Sequence, residues 1–306
     1  MSEGRGAERG YLSQEYAFSF REFGEVINLP RSGLPLIKRK INDHLHDYVG
    51  LYPLSFCKDW SLVGDDLDLL RGNEGVSVVF VTEPFAERVV QSSLAGWTLC
   101  RPYKNNVVVN LMEDWKGKRT KKVRWETKRG RRLQQIQVVP GTSSQAELFW
   151  SLYWLSANRH KMGQMQRMSL KMIAEQLDVE GSFITLASNE TGFHGAMIFY
   201  NQGETAYLHL MGLSETAYSI GTTYAMWDAS FEFLKSTGCK RVSVGGAAGL
   251  IDDESDGLFR FKQKWSEVRA TTFICGEVLD EVRYRELVKL SGNSEGMFFP
   301  AYRSPE

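Results

Sequence analysis

The stretch DGLFRFKQKWS, Asp256 to Ser266, interleaves two phenylalanines and a tryptophan with an arginine and two lysines. Leu258, Phe261 and Trp265 are spaced by three and four, which places them on one face of a helix. Arg260 and Lys264 lie four apart on another flank, and Lys262 adjoins the ring face. Rings in the core would anchor such a helix and leave its cations at the edge. The same spacing also describes an ordinary amphipathic helix with solvated lysines. Just upstream lies SVGGAAG, where the small residues at Gly245 and Gly246 let backbone approach a ligand closely. Exposed amides in such a loop can hold anionic or carbonyl oxygens.

A second cluster is electrostatic. Lys116–Arg132 carries ten basic residues and one acidic among seventeen, while the whole chain has 37 of each sign. The remainder therefore holds 27 basic and 36 acidic residues, so neutrality hides a strongly positive segment on an acidic body. Lys121, Lys122, Arg124, Lys128 and Arg129 are candidates for phosphate contacts, and Trp125 for stacking on a base or ribose. The competing reading is a solvated helix whose cations pair with the acidic body.

Other chemistry is sparse. There is no Ser-His-Asp constellation. His209, on an apolar strand, is a candidate base, or else a packed, hydrogen-bonded histidine. Asp228 reads as a surface pairing residue. The four cysteines, at 57, 100, 239 and 275, have neither zinc nor disulfide-framework spacing and read as free thiols in a reducing compartment. No metal site is expected. The polar N-terminus lacks a secretory h-region, and no apolar run approaches the roughly 20 residues of a membrane span. A soluble cytoplasmic protein with no membrane insertion is expected.

The elements that must position these groups alternate between helix and strand, which predicts an α/β protein. Leu36, Ile37, Ile41, Leu45 and Val49 sit near helical spacing. GVSVVFV (75–81) and NNVVVNL read as strands around a helix in PFAERVVQSSLAGW. SQAE (144–147) has the form of a capping box, ahead of a stripe of Leu148, Leu152, Leu155 and Arg159. GQMQRMSLKMIAEQL reads as a helix with Met165, Met168 and Met172 on one face, either core filler or ligand-facing. SFITLAS, GAMIFYN and TAYLHLMGLS read as consecutive antiparallel strands. SIGTTYAMWDASFEFLKSTG reads as a long helix, CKRVSVGG and ATTFICGEVL as strands.

Taken in order, the glycine-rich strand end, the acidic loop and GLFRFKQKW resemble the Fem-type peptidyltransferases and their GNAT-like relatives, where the stretch runs G-L-x-x-F-K-x-x-[FW]-G. SIGTTYAMWDASFEFLKSTGCKRVSVGG is similar to the long helix and following strand of that family, KKVRWETKRGRR to its basic inter-domain segment, and LFWSLYWLSANR to the helix opening its second domain. The similarity runs from about Asn106 to Asp280. Two positions depart from the pattern: Ser243 stands where relatives carry aspartate, and Ser266 where they carry glycine.

The resemblance implies tandem GNAT-like domains, each a mixed twisted sheet flanked by helices. The boundaries expected are a flexible 1–10, a first domain over 11–115, a basic connection over 116–143 and a catalytic domain over 144–306. It implies amide formation by attack of an amine on an activated acyl carbon, with two parallel strands splaying to expose backbone amides. Lys262 would meet phosphate or developing charge and Phe261 would fix its helix. Arg159, Tyr207, Ser243, Gly245 and Gly246 would contact acyl and acceptor groups. No tightly bound cofactor is expected. The donor is expected to be aminoacyl-tRNA, held by the basic segment, since ETAYSIGTTY has one glycine and lacks the Q/R-x-x-G-x-G/A loop of CoA-using relatives. The acceptor would be the amine of a small molecule, amino acid or peptide. An acyl-CoA-dependent transferase and a non-catalytic RNA-binding module remain as rivals.

Overall fold

The computed structural model describes residues 8–71, 74–117, 119–160, 162–163, 166–249, 253, 255–292 and 298–304. In chain order come α1 (Gln14–Phe18), β1 (Glu25–Asn28), β2 (Pro35–Lys40), β3 (His46–Gly50), α2 (Val63–Leu70), β4 (Gly75–Val81), α3 (Glu87–Ser93) and β5 (Leu99–Asn110). The basic helix α4 (Lys121–Leu133) and β6 (Gln135–Pro140) follow, then α5 (Ala146–Arg159), α6 (Leu170–Leu177), β7 (Ser182–Asn189), β8 (Gly192–Asn201) and β9 (Thr205–Leu213). The chain closes with α7 (Glu215–Ser219), α8 (Thr222–Ser236), β10 (Arg241–Ser243), α9 (Gly257–Gln263), β11 (Arg269–Val278) and α10 (Glu281–Ser291).

These elements form two compact units. One comprises the chain up to Ser19 and Asn105–Ala270; the other comprises Phe20–Lys104 and the chain from Thr271 onward. This division differs from the boundaries expected at 115/116 and 143/144. The reason is topological. In the second unit β1, β2 and β3 form an antiparallel meander, α2 crosses over, and β4 returns parallel to β3 and pairs with antiparallel β11. In the first unit β6 to β9 form the meander, α8 crosses over, and β10 returns parallel to β9 and pairs with antiparallel β5. The chain supplies each unit's last strand only after completing the other unit's crossover, so neither unit is continuous in sequence.

Both sheets are mixed and flanked by helices, as expected. In the first unit α8 covers one face, where Met226 and Thr222 lie against Gly195, and α5 covers the other, with Leu152 and Tyr153 against Gly212. The core under α8 gathers Val107, Val109, Val242, Val244, Trp227, Phe231, Phe259 and Trp265.

Some local expectations change. Leu36 to Val49 form a hairpin, not a helix: the Asn42 side chain accepts from the amides of His44 and Leu45 and turns the chain. Arg39 then stands opposite Asp47 and binds it at 2.9 and 3.0 Å. The cap before α5 uses Thr142 and Gln145, two residues ahead of SQAE, with the Gln145 side chain accepting from Thr142 N–H at 2.8 Å. In α5 the buried face is Phe149, Leu152, Tyr153 and Ser156, while Leu155 is exposed. α6 starts at Leu170, where Ser169 caps it; Met168 and Met172 are core residues, and Met165 lies outside the described residues.

Candidate active site

β9 and β10 pair over three residues only: Arg241 with Thr205, Val242 with Ala206 and Ser243 with Tyr207. Beyond that rung the chain stays with β5, since Val244 N–H bonds to Val107 O at 3.0 Å and Val107 N–H to Gly245 O at 3.1 Å. Among the described residues, Leu208 to Gly212 therefore have β8 on one edge and no strand on the other. This is the opening that splayed strands would provide. Gly245 makes the turn away with φ of +79°, a conformation costly for a residue with a Cβ. Any Cβ there would also lie 3.1 Å from Lys262 Nζ.

The segment behind the glycines folds as a helix, α9, because Asp256 caps it, accepting from Phe259 N–H at 2.8 Å. Phe259 and Trp265 anchor it in the core, with Arg269 over the Phe259 ring at 5.2 Å. The inward residue one turn from Phe259 is Lys262, only 7% exposed, with Nζ donating to Gly246 O at 2.7 Å. This corrects the picture of rings inside and lysines outside. Phe261, assigned to fixing the helix, is half-buried against Tyr224 and Trp227, with ring centroids 4.9 and 5.0 Å away. A buried ammonium sharing a site with backbone carbonyls gains when negative charge arrives beside it. Chemically, the arrangement can hold an acyl oxygen or a departing oxyanion at the mouth of the split.

His209 takes the packed alternative, and its assignment as a base is corrected. It is the extra residue of a bulge in β9, because Leu208 pairs with Phe199 and Leu210 with Ile198. Its ring is enclosed. Nε2 donates to Gln176 Oε1 at 2.9 Å and Nδ1 accepts from Tyr11 O–H at 3.0 Å. Burial pushes its pKa down to about 3, so the ring is neutral and both nitrogens are engaged. Tyr207 lies on the same face, 5.6 Å from the Tyr11 ring, and is the cross-strand partner of Ser243. Ser243, Gly245, Gly246 and Lys262 are thus brought together. Arg159 is not with them: it is exposed at the end of α5, 4.9 Å over the Tyr218 ring.

The basic segment is the helix α4, capped by Thr120. Its buried stripe is Val123, Thr127 and Gly130. Gly130 lets α4 lie close on α8, since a Cβ there would be 2.5 Å from Gly221 O and 2.8 Å from Ala225 Cβ. The cations divide into two groups. Arg119 and Arg131 bind the buried carboxylate of Asp228 at 2.5 and 2.6 Å, and Lys116 and Arg131 bind Glu232. Burial alone would raise the Glu232 pKa, but hydrogen bonds from Lys116 and Arg131 outweigh it and hold the group below its ordinary value. Asp228 is therefore an anchor for the flanks of α4 and not a surface residue. Lys121, Lys122, Arg124 and Lys128 are exposed and form no ion pair among the described residues. Trp125 is 58% exposed, with the Arg129 guanidinium 5.3 Å from its ring; Arg129 also lies 3.7 Å from Glu126.

Two residues that the sequence did not single out complete the surroundings. Tyr224, in the first turn of α8, touches Phe261, and its hydroxyl is 3.3 Å from Lys264 Nζ. Asn106 on β5 is the other. A polar residue inside NNVVVN was a visible signal for Asn106; nothing in the sequence marked Tyr224. Among the described residues no group of three or more His, Cys, Asp or Glu could hold a metal ion, and no helix is long and apolar enough to cross a membrane. All four cysteines are free thiols.

No protein-family model matches the sequence, and no curated protein does. Solved structures do match. FemX superposes with a TM-score of 0.65 over 89% of this chain and 93% of its own, at 10% identity. The chain has the Fem-type, GNAT-like fold. The C-terminal domain of an Agrobacterium fabrum protein named a lysylphosphatidylglycerol synthetase matches with a TM-score of 0.60, 14% identity and 88% of each chain. L-PGS from Bacillus licheniformis matches with 0.57, 16% identity, 91% of this chain and 95% of that one. The Fem-type expectation drawn from the ordered segments is thus met at the level of fold.

Proposed function

We propose that this protein is an N-acyltransferase that moves an aminoacyl group from aminoacyl-tRNA to the amine of a small molecule, amino acid or peptide. The observation that carries the reading is the buried Lys262 ammonium on the Gly246 carbonyl, at the point where β9 and β10 part. The amine lone pair adds to the ester carbonyl carbon, and negative charge builds on the carbonyl oxygen. Unpaired backbone of β9 offers donors for that oxygen. Collapse breaks the bond to the ribose oxygen, which leaves with its electron pair beside Lys262 and takes up a proton; the amine nitrogen loses one to water. Positioning supplies most of the acceleration, because an amine needs little base assistance once held against an ester.

Two features favour the tRNA donor over acyl-CoA. The first turn of α8 is where a pyrophosphate would be sought. There α4 packs against Gly221, and Glu126 Oε2 would lie 3.1 Å from a Cβ at that position. A carboxylate beside that turn repels phosphate. The exposed cations and Trp125 of α4 instead offer an extended surface for a polyanion. α4 touches the first turn of α8, and Tyr224 of that turn touches Phe261 and Lys264, so the basic helix is linked through α8 to the helix that carries Lys262. The Agrobacterium fabrum neighbour is named for a product that carries a transferred lysyl group, which is in keeping with aminoacyl chemistry on this fold.

The test is incubation with labelled aminoacyl-tRNA pools, and separately with labelled acyl-CoAs, in the presence of cell extract. Transfer abolished by ribonuclease supports the reading. Transfer from thioesters alone would replace the donor. RNA binding without transfer from either would leave a binding module on this scaffold.

A further inference from the structure

Six buried side-chain polar atoms have no hydrogen-bond partner among the described residues, and one stands on a strand of the candidate site: Asn106 Nδ2. Asn106 is 4% exposed. Register fixes its face. Val107, Val109 and Leu111 enter the core under α8, so Asn106 and Val108 point to the opposite face. Val108 pairs with Ser243, and Ser243 pairs with Tyr207 on the last rung before the split. One step further along β5, Val107 exchanges hydrogen bonds with Val244 and Gly245. Asn106 is the next residue, one step beyond the hydrogen bonds of Val107 to the loop whose Gly246 carbonyl holds Lys262.

A buried amide N–H with no acceptor is a liability that folding alone would not retain, since leucine fills nearly the same volume without it. We propose that Asn106 is a substrate-binding residue whose Nδ2–H donates to a carbonyl or carboxylate oxygen lying in the split between β9 and β10. The proposal deepens the acyltransferase reading and rests on it for the kind of oxygen expected. That oxygen belongs either to the acyl group of the donor or to the acceptor.

The test observes the amide itself. Protein labelled with ¹⁵N-asparagine gives side-chain amide signals, and that of Asn106 is identified by its loss in Asn106→Leu. Two probes are titrated: 3′-alanylamino-3′-deoxyadenosine, a stable stand-in for the aminoacyl end of the donor, and alanyl-alanine, an amine acceptor with a carboxylate. A saturable shift of the Asn106 signal with either supports the proposal and says which side supplies the oxygen. Asn106→Leu should weaken that probe about tenfold, the value of one hydrogen bond to a buried donor, with a melting temperature equal to or above that of the unsubstituted protein. No shift with either probe, or a Leu variant that melts several degrees lower, overturns it. Absence of transfer from any donor would sink the acyltransferase reading without moving these signals, so the two failures are told apart.

Discussion

Lys262 Nζ donates to the carbonyl oxygen of Gly246 across 2.7 Å, from inside a helix that Phe259 and Trp265 anchor in the core. The bond ties the only cation on the inward side of α9 to the loop where the parallel strands separate. Its removal should therefore separate catalysis from folding. Lys262→Met keeps the stem and discards the charge. Turnover should fall by about a hundred- to a thousandfold, the usual effect of deleting one oxyanion donor, while the denaturation midpoint moves little. Steady-state label transfer and thermal melts check both.

Gly245→Ala should injure both properties. Its φ of +79° disfavours any Cβ, and the added methyl would press on Lys262 Nζ at 3.1 Å. A loss of about 1–2 kcal/mol in urea unfolding is expected from the backbone conformation, with a fall in turnover as the ammonium is displaced.

Asp228→Ala should be far more destabilising than a surface change. Asp228 is buried, the Arg119 side chain against it is only 10% exposed, Arg131 joins them, and Arg119 lies 5.2 Å from the Trp115 ring. Stranding buried guanidinium charge costs about 3–5 kcal/mol. Double-mutant cycles with Arg119→Met measure how much of that loss is the stranded charge.

The outer face of α4 should behave differently. Lys121→Ala, Lys122→Ala and Lys128→Ala should leave stability nearly unchanged and each lower the slope of log affinity against log salt for tRNA by about one. Trp125→Ala should weaken binding by about 1–3 kcal/mol if a base stacks on the indole. Filter-binding titrations over a salt series report both.

His209 carries a pH signature. Its folded pKa, about 3, lies below the ordinary value of 6.5 because burial disfavours the charged ring. The unfolded chain therefore binds the proton first as pH falls. Stability is complete above about pH 6.5 and declines below it, by up to about 1.4 kcal/mol per pH unit from this group. His209→Gln should flatten that part of the stability profile between pH 6 and 4. It should leave no missing limb near pH 6.5 in the rate profile, as a base would.

Several structural features were legible because they depend on neighbours in sequence. GVSVVFV, three of the four strands of the second meander and the long helix after Gly221 follow local periodicity. The stretch Leu36–Val49 misleads because five apolar residues fall near helical spacing by chance, while the Asn42 turn and the Arg39–Asp47 pair belong to a hairpin. In α9 periodicity put Leu258 and Phe261 inward, yet Phe259 and Lys262 are the buried pair. A lysine is buried only where a carbonyl waits for it, and Gly246 is sixteen residues away.

By itself the sequence determined the alternation of helix and strand, the charge of α4 and the ordered series of segments that resembles a Fem-type chain. Those properties are sums over adjacent residues. Only the tertiary structure decided that neither unit is continuous in sequence, that β9 and β10 part after one short ladder, and that three cations of the basic segment, Lys116, Arg119 and Arg131, are consumed by Asp228 and Glu232. Each of these depends on which distant backbone or carboxylate reaches a residue first, and a linear spacing carries no information about that competition.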